Sequence, residues 1–166
     1  MSTVDYQQIL SPRVQAIKPS GIRKFFDIAN EMEDVISLGV GEPDFATPWK
    51  IRRAGIVSLE NSHTRYTSNR GLEQLREEIA AYVRRKYGLS YEPKTEVLVT
   101  VGGSEAIDAA IRAVVVPGDE VIIPQPSYVC YEPMVTLAGG VPVIIETRAE
   151  DAFKLTPKQL LAHLTP

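Results

Sequence analysis

The chain has 166 residues, of which 44% are hydrophobic and 23% are charged, a composition typical of a globular protein with a core. Its net charge is −3 and its lysines and arginines are scattered, which argues against nucleic acid as a partner. One cysteine excludes an internal disulfide framework and no apolar run reaches membrane length, so we expect a cytoplasmic protein with no membrane partner.

Residues 1–45 are predicted to be a largely irregular arm. Prolines and glycines interrupt this stretch repeatedly, and Ile22–Glu33 has the spacing of a short helix. A loose arm of this length is uncommon in a compact domain, so we expect it to pack on another part of the protein. We therefore treat residues 1–45 as one segment and residues 46–166 as another, because the sequence of the second segment predicts regular helices and strands.

Two helices are predicted next. Thr47 is a suitable N-cap for a helix with Pro48 at its first position, and this helix would run to about Leu59. Apolar residues at helical spacing predict a second helix over Gly71–Tyr87, and Gly88 supplies its C-terminal stop.

From residue 97 the chain alternates between continuous apolar runs and helical segments. The strands are expected at Val97–Val101, Val121–Ile123 and Val141–Ile145, and the helices at Ser104–Val115, Ser127–Leu137 and Pro157–Leu164. Strands that are apolar throughout are typical of a parallel sheet buried on both faces, so the predicted fold class is α/β. Three such strands are only part of a doubly wound domain, and we expect the chain to be the N-terminal piece of a longer protein.

Gly102, Gly103 and Ser104 stand where the first predicted strand turns into a helix. Glycines let a backbone approach a ligand closely, and the first N–H groups of a helix have no intrahelical partner. The partial positive charge at that end of the helix attracts anions such as phosphate. Two glycines also occur in ordinary strand-to-helix turns, and the spacing matches neither the dinucleotide fingerprint nor the Walker loop. The turn is therefore a candidate phosphate site.

Two acidic residues follow in the same predicted helix. Glu105 and Asp108 could be catalytic carboxylates, but an acid in the first turn commonly complements the helix dipole, which is the interpretation we favour for Glu105. Asp108 lies one turn further along and could equally be a surface residue. His63 and His163 lack metal-ligating neighbours in the sequence, so no metal site is predicted.

The segment PQPSYVCYEP, residues 124–133, follows the second predicted strand. Because parallel strands end at one edge of a sheet, we expect this loop to face the same crevice as the glycine turn. Tyr128 would then place a flat ring against a planar ligand, or else be a half-buried aromatic residue at a helix start. Cys130 is expected to be a packed, small hydrophobic residue, because no histidine or second cysteine lies near it in the sequence.

Several segments together resemble the class I/II aminotransferases, which are pyridoxal-phosphate enzymes of fold type I. They are SLGVGEPDFATP (37–48), RYTSNRGLEQLREEIA (65–80), VTVGGSEAIDAAIRAVVVPGDEVIIPQPSYVCYEPMV (99–135) and AGGVPVIIET (138–147). The similarity runs in order along nearly the whole chain and is greatest to the bacterial branch of aspartate, aromatic and N-acetyl-diaminopimelate aminotransferases. It implies that residues 1–45 are an arm with a small-domain segment, and that residues 46–166 begin the cofactor-binding large domain, an incomplete three-layer αβα structure.

The resemblance also implies roles for individual residues. Gly103, Ser104 and the N–H group of Glu105 would cradle the phosphate of pyridoxal 5′-phosphate, and Tyr128 would stack on its ring. Tyr66 would reach across a homodimer interface to the cofactor phosphate of the neighbouring subunit. The backbone of Gly41 would meet the carboxylate of the substrate.

The implied reaction moves an amino group between an amino acid and a 2-oxo acid. The Schiff-base lysine of the family is expected beyond residue 166, so no catalytic residue is assigned here, and the chain alone is expected to be inactive. A fold type I carbon–sulfur lyase or a related pyridoxal-phosphate enzyme is an alternative, as is a non-catalytic ligand-sensing domain, which the matching order of Gly41, Tyr66 and Tyr128 disfavours.

Overall fold

The structure, a computed structural model, describes residues 5, 8–19, 21, 25, 28, 31–34, 36, 41 and 43–165. In chain order its elements are helices α1 (Pro12–Gln15), α2 (Trp49–Glu60), α3 (Glu73–Tyr87) and α4 (Gly102–Val114), strand β1 (Glu120–Gln125), helix α5 (Tyr131–Ala138), strand β2 (Val141–Glu146), a 3-10 helix (Ala149–Asp151) and helix α6 (Pro157–Ala162). Most of the helix predicted at Ile22–Glu33 lies outside the described residues. None of the helices in the described part is long and apolar enough to cross a membrane.

The chain divides into two compact units. One combines residues 1–21 with residues 101–166, and the other consists of residues 22–100. The division between an arm at 1–45 and a large-domain segment at 46–166 stays a prediction.

The first unit is built on two parallel strands. Strands β1 and β2 pair from Glu120 opposite Val141 to Gln125 opposite Glu146, and helix α5 makes the crossover between them. The core of this unit lies between the sheet and α5, where Ile123, Ile145 and Val135 are almost fully buried. A β-α-β unit with an apolar interior is the arrangement predicted for this part of the chain.

Val97–Val101, the first predicted strand, is not part of the sheet, so the described residues contain a two-stranded sheet instead of the three strands expected. The N–H of Val99 donates to the carbonyl of Arg70, 3.1 Å away, and the Val99 side chain fills the space beside Gly71. Gly71 has a φ of +91°, and a Cβ atom at that position would stand only 2.6 Å from the Cβ of Val99. The segment therefore packs on a turn of its own unit. An apolar run becomes a strand only where another strand completes the ladder.

Helix α3 begins and ends close to the predicted positions. Gly88 adopts a left-handed conformation after it and donates to the carbonyl of Arg84, as a C-terminal glycine cap does. The predicted start of α2 is one residue too early. The N-cap is Pro48 and the helix begins at Trp49, so Thr47 does not cap it. Helix α6 begins at the predicted Pro157, where Thr156 and Gln159 form a capping box.

The helix predicted at Ser127–Leu137 begins only at Tyr131. The preceding residues form a turn in which the N–H of Tyr131 donates to the carbonyl of Tyr128. Pro133 has no N–H to donate to the carbonyl of Val129, and proline is tolerated in the first turn of a helix but not further inside it, so the helix does not extend back through Tyr128 and Val129. Tyr128 therefore lies in the loop between β1 and α5.

Candidate functional site

The candidate site begins at the N-terminal end of α4. This helix starts at Gly102, two residues before the predicted Ser104, and Gly102 has a φ of +78°, a conformation that favours glycine. A Cβ atom on Gly103 would meet nothing within 4 Å, so the surface beside Gly103 is open. The first N–H groups of a helix lack intrahelical acceptors and carry partial positive charge, which suits an anion.

Ser104 and Tyr128 meet at this end of the helix. Their hydroxyl oxygens, Oγ and Oη, are 2.7 Å apart, a normal distance for a hydrogen bond between hydroxyls. The ring of Tyr131 packs edge to face with the ring of Tyr128, with centroids 5.6 Å apart and planes at 81°. The side chain of Tyr128 remains 45% exposed. The structure thus brings the loop after β1 to the glycine turn. The prediction of this contact assumed that Val97–Val101 is a parallel strand beside β1, and that part of it is wrong.

The two carboxylates of α4 have local partners. The side chain of Glu105 accepts a hydrogen bond from the N–H of Val101, so it stabilises the start of its own helix. Asp108 pairs with Arg112 one turn later at 2.8 Å, and this hydrogen bond raises the pKa of the Arg112 guanidinium. Both contacts are exposed surface interactions within one helix. They support the interpretation of Glu105 as a first-turn acid and of Asp108 as a surface residue.

The cysteine and the two histidines are the other side chains that could act as nucleophiles, bases or metal ligands. Cys130 is a half-buried free thiol directly before α5. His163 is the C-cap of α6, with its Nδ1 2.8 Å from the carbonyl oxygen of Gln159. His63 is exposed. Within the described part of the chain, no three His, Cys, Asp or Glu residues are grouped as metal ligands would be.

Tyr66 and Gly41 belong to the other unit. The Tyr66 side chain is fully exposed and lines an open cavity of about 840 Å³ together with His63, Arg65 and Arg76, among other residues. Gly41 lies in an exposed loop, where a Cβ atom would meet nothing within 4 Å. The accessible side chain of Tyr66 and the open backbone at Gly41 are compatible with contacts to another molecule.

Sequence reasoning missed two residues that shape these sites. Arg76 is 6% exposed in α3, and its guanidinium donates to the carbonyls of Pro93 and Lys94. Its position on the apolar face, four residues after Leu72, was a signal that it is buried. Tyr131 was missed because its contact with Tyr128 depends on the turn between them.

Comparison with known proteins identifies the family. The family model for aminotransferase class I and II matches residues 33–166. A putative aminotransferase of Bacillus subtilis, YugH, is 58% identical over 94% of this chain and 40% of its own length. A probable N-acetyl-LL-diaminopimelate aminotransferase of the same organism is 42% identical over 96% of the chain and 40% of its own length.

Solved structures agree with these matches. Aspartate aminotransferase of Thermus thermophilus, crystallised with maleate, superposes with a TM-score of 0.84 at 40% identity, over 94% of this chain and 42% of that one. An aromatic aminotransferase of Pyrococcus horikoshii superposes with a TM-score of 0.76 at 39% identity, over 87% and 38%. The chain spans about 40% of the length of the curated relatives that it matches. Members of the family use pyridoxal phosphate. The chain therefore belongs to the class I and II aminotransferase family, with the α/β fold of fold type I enzymes.

Proposed function

We propose that this chain is the N-terminal part of a pyridoxal-phosphate-dependent aminotransferase and supplies the cradle for the cofactor phosphate. The observation that carries the proposal is the contact between Ser104 and Tyr128 at the start of α4. It joins a hydroxyl suited to phosphate and an aromatic ring suited to a pyridine in one place. An ordinary strand-to-helix turn has no need of both.

The residues present fit the phosphate end of the cofactor. The backbone at Gly103 is accessible, because no heavy atom lies within 4 Å of the position of a Cβ, and Gly103 stands in the first turn of a 13-residue helix, whose N–H groups suit an anion. The backbone N–H groups of Gly103, Ser104 and Glu105, with the hydroxyl of Ser104, are the donors that we assign to the phosphate. The exposed ring of Tyr128 is assigned to the pyridine.

When bound, the cofactor supplies an electron sink for the substrate's reacting carbon, and the protein supplies binding and orientation. Gly103 and Ser104 hold the phosphate, which fixes the position of the ring relative to the protein. Tyr128 covers one face of the ring and excludes water from it. Gly41 presents its backbone to the substrate carboxylate, and the cofactor-anchoring lysine comes from a part of the enzyme outside residues 1–166.

The working enzyme is proposed to be a homodimer. Tyr66 is fully exposed on its own unit and is therefore available to the cofactor site of a neighbouring subunit. Its substrates are proposed to be an amino acid and a 2-oxo acid, and a cytoplasmic location suits the free thiol of Cys130.

The test is an assay of the complete protein with pyridoxal phosphate, a panel of amino acids and 2-oxoglutarate. We expect conversion of at least one amino acid to its 2-oxo acid with equal formation of glutamate. The 166-residue chain alone, under the same conditions, should give no turnover. Release of ammonia or a thiol without glutamate would indicate a lyase, and cofactor binding without any turnover would indicate a ligand sensor.

A further inference from the structure

The contact between Ser104 and Tyr128 involves their hydroxyl groups as well as their positions. The two oxygens are 2.7 Å apart, although the residues are 24 positions apart in the sequence. Stacking on a cofactor ring needs only the aromatic face of Tyr128. Its hydroxyl contact with Ser104 is therefore an additional feature of this site.

The chemistry of the two hydroxyls indicates which one donates when an anion is bound. A phenol is a stronger acid than the aliphatic alcohol of serine and is thus the better hydrogen-bond donor. If Tyr128 donates to Ser104, the proton of Ser104 is directed to another acceptor. A phosphate oxygen in front of the helix accepts that proton, and each bond in such a chain strengthens the next.

The ring of Tyr128 also packs against a neighbouring ring. Tyr131, at the first position of α5, packs against it with its plane at 81°. This contact restricts the movement of the Tyr128 ring on one side, so less entropy is lost when the ligand binds.

We infer that Tyr128 is a positioning residue, whose hydroxyl orients the Ser104 hydroxyl toward the cofactor phosphate in addition to the stacking of its ring. This inference rests on the proposed function. A phenylalanine at position 128 would keep the ring and lose the orientation of Ser104.

The experiment uses the complete protein freed of cofactor and titrated with pyridoxal phosphate or with pyridoxal, which lacks the phosphate. Dissociation constants are measured by calorimetry for the unaltered protein, Tyr128→Phe, Ser104→Ala, the double variant and Tyr91→Phe, an exposed tyrosine of the other unit that serves as control. Tyr128→Phe should weaken pyridoxal phosphate binding about threefold to tenfold, and Ser104→Ala about tenfold to a hundredfold. Neither substitution should change the binding of pyridoxal.

The double variant distinguishes positioning from a separate contact. Because Tyr128 acts through Ser104, its substitution should have no further effect once Ser104 is alanine. Ser104→Thr, which keeps a hydroxyl, should restore the effect of Tyr128→Phe. Equal binding by Tyr128→Phe and the unaltered protein, or additive losses in the double variant, would overturn the inference alone. Failure of the unaltered protein to bind pyridoxal phosphate would overturn the proposed function as well.

Discussion

The guanidinium group of Arg13 lies against Gly139, the residue that ends helix α5. Gly139 has a φ of +93°, and a Cβ atom on it would stand 2.9 Å from Nη2 of Arg13. A cation at the C-terminal end of a helix is favourable because the last carbonyl groups carry partial negative charge. The pair thus connects α1, near the start of the chain, to the crossover helix of the sheet.

Gly139→Ala should therefore destabilise the protein for two reasons. The positive φ costs an alanine about 1–2 kcal/mol, and displacement of Arg13 from its preferred rotamer adds about 0.5–1 kcal/mol. Gly118→Ala is the matched control, because Gly118 has a φ of +99° but open space where the Cβ would be. Urea unfolding should show a larger loss in the free energy of unfolding for Gly139→Ala than for Gly118→Ala. When each is combined with Arg13→Ala, the two glycine substitutions should cost the same. Equal losses for the two glycine substitutions would show that the Arg13 contact has no energetic effect.

Arg76 is expected to be a main stabilising residue of the other unit. Its guanidinium is buried and lies 2.9 Å from the carbonyl oxygen of Pro93 and 3.2 Å from that of Lys94. Arg76→Met would leave the carbonyl of Pro93 without this donor and the carbonyl of Lys94 with Arg70 alone, at a cost of about 1–3 kcal/mol in the free energy of unfolding. Arg70→Met is the control, because Arg70 also donates to the carbonyl of Lys94 but is exposed, and water can replace it. A loss for Arg70→Met as large as that for Arg76→Met would contradict the role of burial.

Glu73 and Lys94 form an exposed pair whose effect depends on pH. Their charged atoms are 3.1 Å apart, and the hydrogen bond to Glu73 raises the pKa of Lys94 above its ordinary value. A raised pKa in the folded state means that the pair stabilises the fold below the ordinary lysine pKa, and that this contribution disappears as the pH rises through the raised value. Glu73→Gln should lower the pKa of Lys94 toward its ordinary value, as measured by NMR titration. Glu77→Gln should lower it less, because Glu77 acts on Lys94 only through a weaker charge interaction.

The elements that could be predicted from sequence are those whose signals are local. Helix α3 has apolar residues at helical spacing and a glycine directly after its last residue. The capping box of α6 is formed by Thr156 and Gln159, which lie three residues apart in the sequence. The prediction of a strand at Val97–Val101 is wrong because a strand depends on a pairing partner as well as on its own composition. Here the N–H of Val99 is bonded to Arg70 and to no strand of the described residues.

The candidate site, too, could be predicted from the sequence only in part. The glycine turn could be identified from residue types. The position of Tyr128 near that turn was expected from a common edge of parallel strands, but Val97–Val101 is not in the sheet, so the contact does not depend on such an edge. The bond between the hydroxyls of Tyr128 and Ser104 could not be predicted, because it depends on where the loop after β1 ends and α5 begins. That boundary is set by the turn closed between Tyr131 and Tyr128.

The proposed role of Tyr66 across a dimer interface can be tested with hybrid dimers. One subunit carries Tyr66→Phe and the other carries Ser104→Ala, with different affinity tags so that only the mixed dimer is purified. If Tyr66 serves the neighbouring subunit, one site of the hybrid has both residues intact and the other has both defects. If Tyr66 serves its own subunit, each site has one defect and no site is intact.

Titration of the cofactor-free hybrid with pyridoxal phosphate distinguishes these arrangements. We expect half of the sites to bind with the affinity of the unaltered protein, and the other half to bind at least about tenfold more weakly, since both substitutions remove a hydrogen bond to a charged group. The two parent homodimers are the controls, because each should show a single class of weakened sites. A hybrid without any site of normal affinity would show that Tyr66 acts within its own subunit. Normal affinity in the Tyr66→Phe homodimer would show that the Tyr66 hydroxyl does not contact the phosphate, despite its full exposure.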